Sequence, residues 1–509
     1  MKNKIISLLV ASMLAISTLS CDGFLDKYPS DSIDVDLSIG TVGAAKVALN
    51  GTYRRMTSLS YYGRNMIVYA EFKGADFGVT TTGISGEQLY YFTHTPTSGT
   101  YSDMWNQGYD IILQANNILE RIDSGDIIVM SATEQRTLDL YKGQALAIRA
   151  LVHFDMTRLY GYPYLKDNGA GLGAPIVKQR LIATDKLKRE TVAKCYEEVI
   201  TDLTDAIALM SSSTARTIGE FNLYAVRSLL ARVYLHKGDW ENAYIQAKNV
   251  IDNGGYIPYT ANNWIASWSQ QGATESILEL WMRPSEGDLG SSSLRAWYAP
   301  RNTSRRDLGP MMVSDMFLDM FSAPDHANDV RWGLLDLDEF SNGLSAGADR
   351  LPNRKGWLKK YENDGKSPAS AVNIKVIRLT EVMLIAAEAA VRKPVQDKAN
   401  AAAWINTIRE RNPDMAATPL TATTADNVLL AEIELQRRID LLGEGHRYFD
   451  VLRNGGTVTY KDGGGVFNDI PNGGRASTVD WNFHKCVLPI GINEINANPE
   501  IATQQNPGY

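Results

Sequence analysis

Apolar positions recur at helical spacing in paired blocks along much of the chain. In "NLYAVRSLLARVYLHKGDWENAYIQAKNVIDNGG", Leu223, Val226, Leu230 and Val233 form one stripe. Lys237 to Asp239 make a tight break, and Trp240, Ala243, Tyr244, Ala247, Val250 and Ile251 start a second stripe, which predicts a helical hairpin. Small Ala243 and Ala247 let the second helix lie close to the first, and the unit has the length of a tetratricopeptide repeat. A second hairpin is predicted from "NIKVIRLTEVMLIAAEAAVRK" into "DKANAAAWINTIRERNP": Val376, Leu379, Met383 and Ala387 line one face, Ala401, Trp404, Ile405 and Ile408 the next, and Pro413 ends it. Further pairs are expected from 38–56 with 101–122 and from 133–160 with 191–210. Such units cannot bury their apolar faces singly, so the expected fold is mainly α, a superhelix of about four tetratricopeptide-like pairs with long loop-rich insertions.

Those insertions, at 61–99, 257–310 and 332–368, are rich in Gly, Ser and aromatic residues. Loops of that length usually carry function. The first holds Tyr61, Tyr62, Tyr90, Tyr91 and Phe92; the second Trp264, Trp268, Trp297 and Tyr298; the third Trp332, Trp357 and Tyr361. Flat rings stack on sugar rings or grip peptide side chains. Neighbouring Asp76, Arg301, Asn302 and Asp329 supply hydrogen-bonding groups for hydroxyls or peptide backbone. The competing use of the same rings is to staple the insertions onto the scaffold.

The amino end has a different pattern. Lys2 and Lys4 precede a mostly apolar run, then small residues and Cys21, the layout of an export signal too short to span a bilayer. An ordinary cleaved signal needs no cysteine at its cleavage point, so Cys21 is expected to become a lipidated N-terminus, anchored rather than spanning. Ser20 suits that site. Bacterial lipoprotein signals usually carry leucine three residues before the cysteine, whereas Thr18 stands there and the leucine is Leu19. No later apolar run is long enough for a membrane helix.

Composition narrows the chemistry. A charged fraction of 21% and a hydrophobic fraction of 44% are ordinary for a folded chain and argue against disorder. The net charge of −7 becomes more negative once Lys2 and Lys4 are cleaved away, and without a dense basic patch the chain is a poor partner for nucleic acid. Cys195 and Cys486 are too few for a disulfide scaffold, and their spacing leaves pairing and two free thiols both open. Six scattered histidines lack metal-ligand neighbours, and no G-x-S-x-G elbow occurs. "GAGLGA" at 169–174 matches a dinucleotide fingerprint in spacing, but Gly161 and Pro163 occupy the place of its strand; the calcium-loop match at 338–349 has Phe340 at a ligand position. No cofactor is expected. A glycosidase would need only two carboxylates at a suitable separation, which keeps that alternative in view.

Four passages resemble the SusD/RagB family of outer-membrane nutrient-binding lipoproteins. They are "GQALAIRALVHFDMTRLYGYPYL", "RLTEVMLIAAEA", "RRIDLLGEGHRYFDVLRNG" and the closing "LPIGINEINANPEIATQQNPGY", and "CDGFLDKYPS" adds to them at the start. The resemblance implies a signal peptide at 1–20, a lipidated tether at 21–36, a SusD-like region at 37–255, a loop-rich ligand-binding insertion at 256–372 and a C-terminal SusD/RagB region at 373–509. It implies a surface-exposed outer-membrane lipoprotein, held to the membrane only through Cys21. Its partner would be a SusC/RagA-like TonB-dependent barrel, and its role to capture oligosaccharide or oligopeptide without catalysis; the tryptophan-rich loops favour sugar. "AEFKGADFG" resembles the family's segment near the ligand and makes Asp76 a candidate. The expected contact set is Asp76, Tyr61, Tyr62, Tyr90, Tyr91, Trp297, Tyr298, Arg301 and Trp332. Glu388, Glu434, Arg437, Glu444, Arg447 and Asp450 are expected instead to hold the scaffold through caps and ion pairs.

Overall fold

The structure, a computed structural model, describes residues 39–79, 86–182, 184–282, 289–300, 308–336, 356–362, 371–460 and 478–509. Its longer helices are α1 (Val42–Met56), α2 (Asn65–Lys73), α3 (Gly99–Asp123), α4 (Ala132–Tyr160), α5 (Val192–Met210), α6 (Leu223–Lys237), α7 (Trp240–Asn253), α8 (Leu379–Arg392), α9 (Lys398–Arg409), α10 (Asp426–Asp440) and α11 (Arg447–Arg453). Local chemistry sets their ends. Thr41, Ser131, Thr191, Asn222, Asp239 and Asp397 each accept a backbone N–H of the first turn that follows, satisfying donors that a helix start leaves open. Between α6 and α7, Gly238 takes a left-handed φ of 78° and Asp239 immediately caps the next helix, which is the tight break expected there.

Packing follows chain order. α1 rests on α3 and α4, and contacts then run α3–α4, α4–α5, α5–α6, α6–α7, α7–α8 and α8–α9, with α10 closing against α8 and α9. This is the expected stack of helix pairs. α4 is its axis: from Gly143 to Tyr160 nearly every side chain is buried, as in a helix covered on all sides. Ala243 and Ala247 are fully buried where α7 approaches its neighbours.

Two readings of the sequence need correction. The second hairpin does not begin as a helix: Ile374–Arg378 is strand β6, antiparallel to β2 (Ser276–Leu280), and α8 starts only at Leu379. Three β-branched residues in five favour the pleated form, and β2 supplies the partner. Nor does Pro413 end α9, which stops at Arg409; Pro413 instead opens a short helix capped by Asn412. The insertions also contain regular structure. β1 (Phe77–Val79) pairs with β3 (Met311–Val313), joining the first insertion to the segment just after the second, while β4 (Leu335–Asp336) pairs with β5 (Trp357–Leu358) inside the third.

The C-terminal segment returns to the N-terminal half. Arg189 donates to the carbonyls of Gly173, Tyr160 and Leu172 and also to Gln504 O at 2.6 Å and Asn506 Oδ1 at 2.9 Å. Asn506 Nδ2 bonds Tyr160 O and Leu488 O, and the Tyr509 hydroxyl lies 2.8 Å from His94 Nε2. Cys195 and Cys486 are free thiols, both buried.

Candidate functional site

The aromatic residues expected to meet ligand are placed mostly inside the protein. Tyr61 is fully buried and donates to Asp155 Oδ2 at 2.6 Å, with Tyr62 packed edge-on at 4.8 Å. Tyr90 and Tyr91 are buried against each other, and Tyr90 meets Phe72, whose ring also contacts Trp297. Trp297 lies under the Arg64 guanidinium at 4.4 Å. Tyr298 stacks on Tyr361 at 5.5 Å, and both hydroxyls donate to Gly443 O. A buried ring offers a ligand no free face, so in this conformation these six residues pack the insertions onto the scaffold. Trp332 differs: it is half-buried, stacked at 4.2 Å on Phe321, with its Nε1 donating to His326 O. Trp264 and Trp268 form a separate small core with Tyr259. Arg301, Asn302 and Cys21, like residues 1–38 as a whole, lie outside the described residues.

Asp76 is also buried, and its carboxylate is already engaged. Arg438 Nε reaches both its oxygens, at 2.9 and 3.0 Å, and Arg447 Nε lies 3.5 Å from Oδ2. The expected free acceptor is therefore an ion-pair partner, because α10 and α11 bring arginines to the turn after α2. Gly74 allows the approach: a Cβ there would sit 2.8 Å from Arg447 Cγ.

The ion pairs expected from the motif charges are present. Glu444 accepts from Arg378 and Lys360 within a buried network that also joins Glu275, Asp440, Arg331 and Arg411. Burial pushes the Glu444 carboxyl up, but Arg378 and Lys360 outweigh it and hold the group below its usual range. Glu71 on α2 has no such cation in hydrogen-bond contact. Its Oε1 accepts from Gly445 N at 2.7 Å, Oε2 has no hydrogen-bond partner, and burial raises its pKa to about 8.

A cleft of about 430 Å³ is walled by α10 and α11 and reached by the ends of α2 and α8. Arg392, Arg437, Arg438, Arg447 and Arg453 line it, facing Asp76, Glu388, Asp450 and Glu434. Arg453 donates to both oxygens of Glu388, at 3.0 and 2.6 Å, and to Asp450 Oδ1 at 3.1 Å. Arg437 pairs with Asp450 at 2.9 Å, and Arg392 reaches Glu388 at 3.1 Å. Burial pushes Glu388 and Asp450 up, yet the arginines prevail and keep both carboxylates ionised. Sequence reasoning found Asp76, Arg437, Arg447 and Asp450 one by one but not the cleft. The Arg437–Arg438 pair was visible; that Arg392 and Asp76 meet it was not. Among the described residues no group of three or more His, Cys, Asp or Glu side chains is arranged to hold a metal.

Comparison with known proteins places this geometry. The SusD family model matches residues 346–509, and a second, described as "Starch-binding associating with outer membrane", matches residues 24–235. A SusD superfamily protein from Bacteroides thetaiotaomicron is 33% identical and superposes with a TM-score of 0.82, over 92% of this chain and 100% of its own. A putative sugar binding protein from Bacteroides vulgatus is 31% identical with a TM-score of 0.79, over 93% of this chain and 99% of its own. A SusD-like protein of Formosa agariphila is 25% identical over 98% of both chains. With the helix-pair scaffold, the returning C-terminal segment and the motif ion pairs all in place, the chain belongs to the SusD/RagB family.

Proposed function

We propose that this protein is a cell-surface lipoprotein of the outer membrane that captures oligosaccharide and delivers it to a SusC-like TonB-dependent barrel. The observation that carries the reading is the end-to-end likeness, above 30% identity, to SusD superfamily structures, one of them described as a putative sugar binding protein. The export signal ending at Cys21 supplies the anchor, and no helix among the described residues is long and apolar enough to cross a membrane. The energy for uptake then belongs to the barrel, and the lipoprotein contributes affinity and handover.

In this reading Tyr61, Tyr62, Tyr90, Tyr91, Trp297 and Tyr298 pack beneath the ligand region and fix the loops that carry it. Trp297 and Phe72 lie against Gly86, and Trp332 is the ring of the set with area left for contact. Titration of the purified protein with glycan and peptide panels tests the proposal. Binding of a defined oligosaccharide that is recovered intact supports it; binding of peptides alone replaces the ligand class, and release of shorter products replaces binding with hydrolysis. Co-purification of a large barrel from detergent-solubilised outer membranes, lost when Cys21→Ala releases the protein, tests the delivery role.

A further inference from the structure

The cleft between α10 and α11 is undercompensated in charge. Five arginines line it, but three carboxylates, buried Asp76 and Glu388 and half-buried Asp450, do most of the pairing and each is shared: Asp76 between Arg438 and Arg447, Glu388 between Arg392 and Arg453, Asp450 between Arg437 and Arg453. The fourth acid, Glu434, has its side chain 69% exposed and meets Arg447 at 3.4 Å. Arg453 fills its fork on Glu388 and Asp450, but the sharing leaves donors of the other guanidinium groups without a carboxylate.

One unused donor is conspicuous. Arg437 is 5% exposed, pairs with Asp450 through Nε and Nη2, and has its Nη1 buried with no hydrogen-bond partner. A buried guanidinium N–H without an acceptor is costly, and an acceptor arriving from outside would remove that cost. The planar fork suits an oxyanion with two oxygens in one plane, which is the geometry of a carboxylate or a sulfate. Around this group the cleft is large enough for more than a bare ion, since its volume of about 430 Å³ lies in the range of small-molecule sites. Leu430, Leu441 and Val451 give it apolar wall alongside the charges, as a sugar ring requires.

We propose that this cleft is a binding site for an acidic oligosaccharide, in which Arg437 Nη1, aided by Arg392 and Arg447 at the rim, receives a uronate carboxylate or a sulfate. The anionic half of the statement rests on the cleft alone, and the sugar half rests on the proposed function above.

Calorimetric titration at low and at physiological salt tests it, with four probes: a uronic-acid oligosaccharide, a sulfated oligosaccharide, a neutral oligosaccharide of equal length and a glutamate-rich peptide. The expected result is affinity for at least one acidic sugar tenfold or more above the neutral one, falling as salt rises. Arg392→Gln and Arg447→Gln, whose side chains are 33% and 17% exposed, keep the fold and bring the acidic-to-neutral ratio toward one. Arg437→Lys keeps the charge but loses the fork and gives the same collapse; its melting temperature shows whether the fold survives, and the two rim variants decide the matter if it does not. Equal affinity for acidic and neutral sugars, or a ratio unmoved in the rim variants, overturns the inference while leaving oligosaccharide capture intact. Preference for the acidic peptide overturns the sugar assignment of the cleft. Binding of acidic sugar at the arginines without any transport role sinks the delivery reading and leaves this one standing.

Discussion

Glu71→Gln separates the electrostatics of one buried carboxyl from everything else in the fold. An unfolded glutamate loses its proton near pH 4.5, whereas burial holds the proton on folded Glu71 up to about 8. Across that window the folded state binds more protons than the unfolded one. Stability contributed by the neutral carboxyl is therefore complete below pH 4.5 and is lost as pH rises through 8. At about 1.4 kcal/mol per unit, the interval from pH 5 to pH 8 costs the wild type about 3.5 kcal/mol through this group. Glutamine has the same shape, can still accept from Gly445 N and never ionises. The two proteins should be of similar stability at pH 5, with Glu71→Gln more stable by about 3 kcal/mol at pH 8. Urea denaturation followed by circular dichroism at four pH values measures this. The difference between the proteins is the quantity to read, because burial also lowers the pKa values of His94, His153 and His446, to about 2, 3 and 4, and these gain stability as pH rises toward 6.5. Parallel stability curves for the two proteins from pH 5 to pH 8 would refute the reasoning.

Other consequences are as direct. Arg453→Ala strands the buried Glu388 carboxylate and should cost about 3–5 kcal/mol in urea denaturation, whereas Lys194→Ala, which breaks an exposed pair with Glu190, should cost less than about 1 kcal/mol. Gly443→Ala places a Cβ 2.2 Å from Leu358 Cδ2 at a φ of 79°. It should lower stability by at least about 1–3 kcal/mol and change the near-ultraviolet signal of Tyr298 and Tyr361. Trp264→Ala empties the centre of the small core with Tyr259 and Trp268 and should cost about 3–5 kcal/mol in the same assay. Burial pushes the Cys486 thiol up to about 12, so alkylation at pH 8 followed by mass spectrometry should label Cys486 only after denaturant is added.

The helix pairs were legible because their signal is periodic and local: Val226, Leu230 and Val233 define a face without knowledge of what covers it. Gly238 and Asp239 then mark a stop and a start through their own backbone and capping chemistry. β6 was misread because five largely apolar residues joined directly to a helix carry no period of their own, and its partner strand begins about a hundred residues earlier. The aromatic residues were hard to place for a different reason. A tyrosine in a core and a tyrosine on a ligand platform are the same letter, and only the neighbours that bury Tyr61 and Tyr298 tell them apart. Asp76 shows the limit most clearly: its partner Arg438 is 362 residues away.

The link from Arg189 to Gln504 and Asn506 has a temporal meaning. Gln504 and Asn506 follow Arg189 by 315 and 317 residues, so the bonds that complete its coordination form only after that later segment has been made. A nascent chain still lacking that segment is easier to keep unfolded. On the proposed reading of residues 1–20 as an export signal, that delay favours passage across the inner membrane before the structure locks.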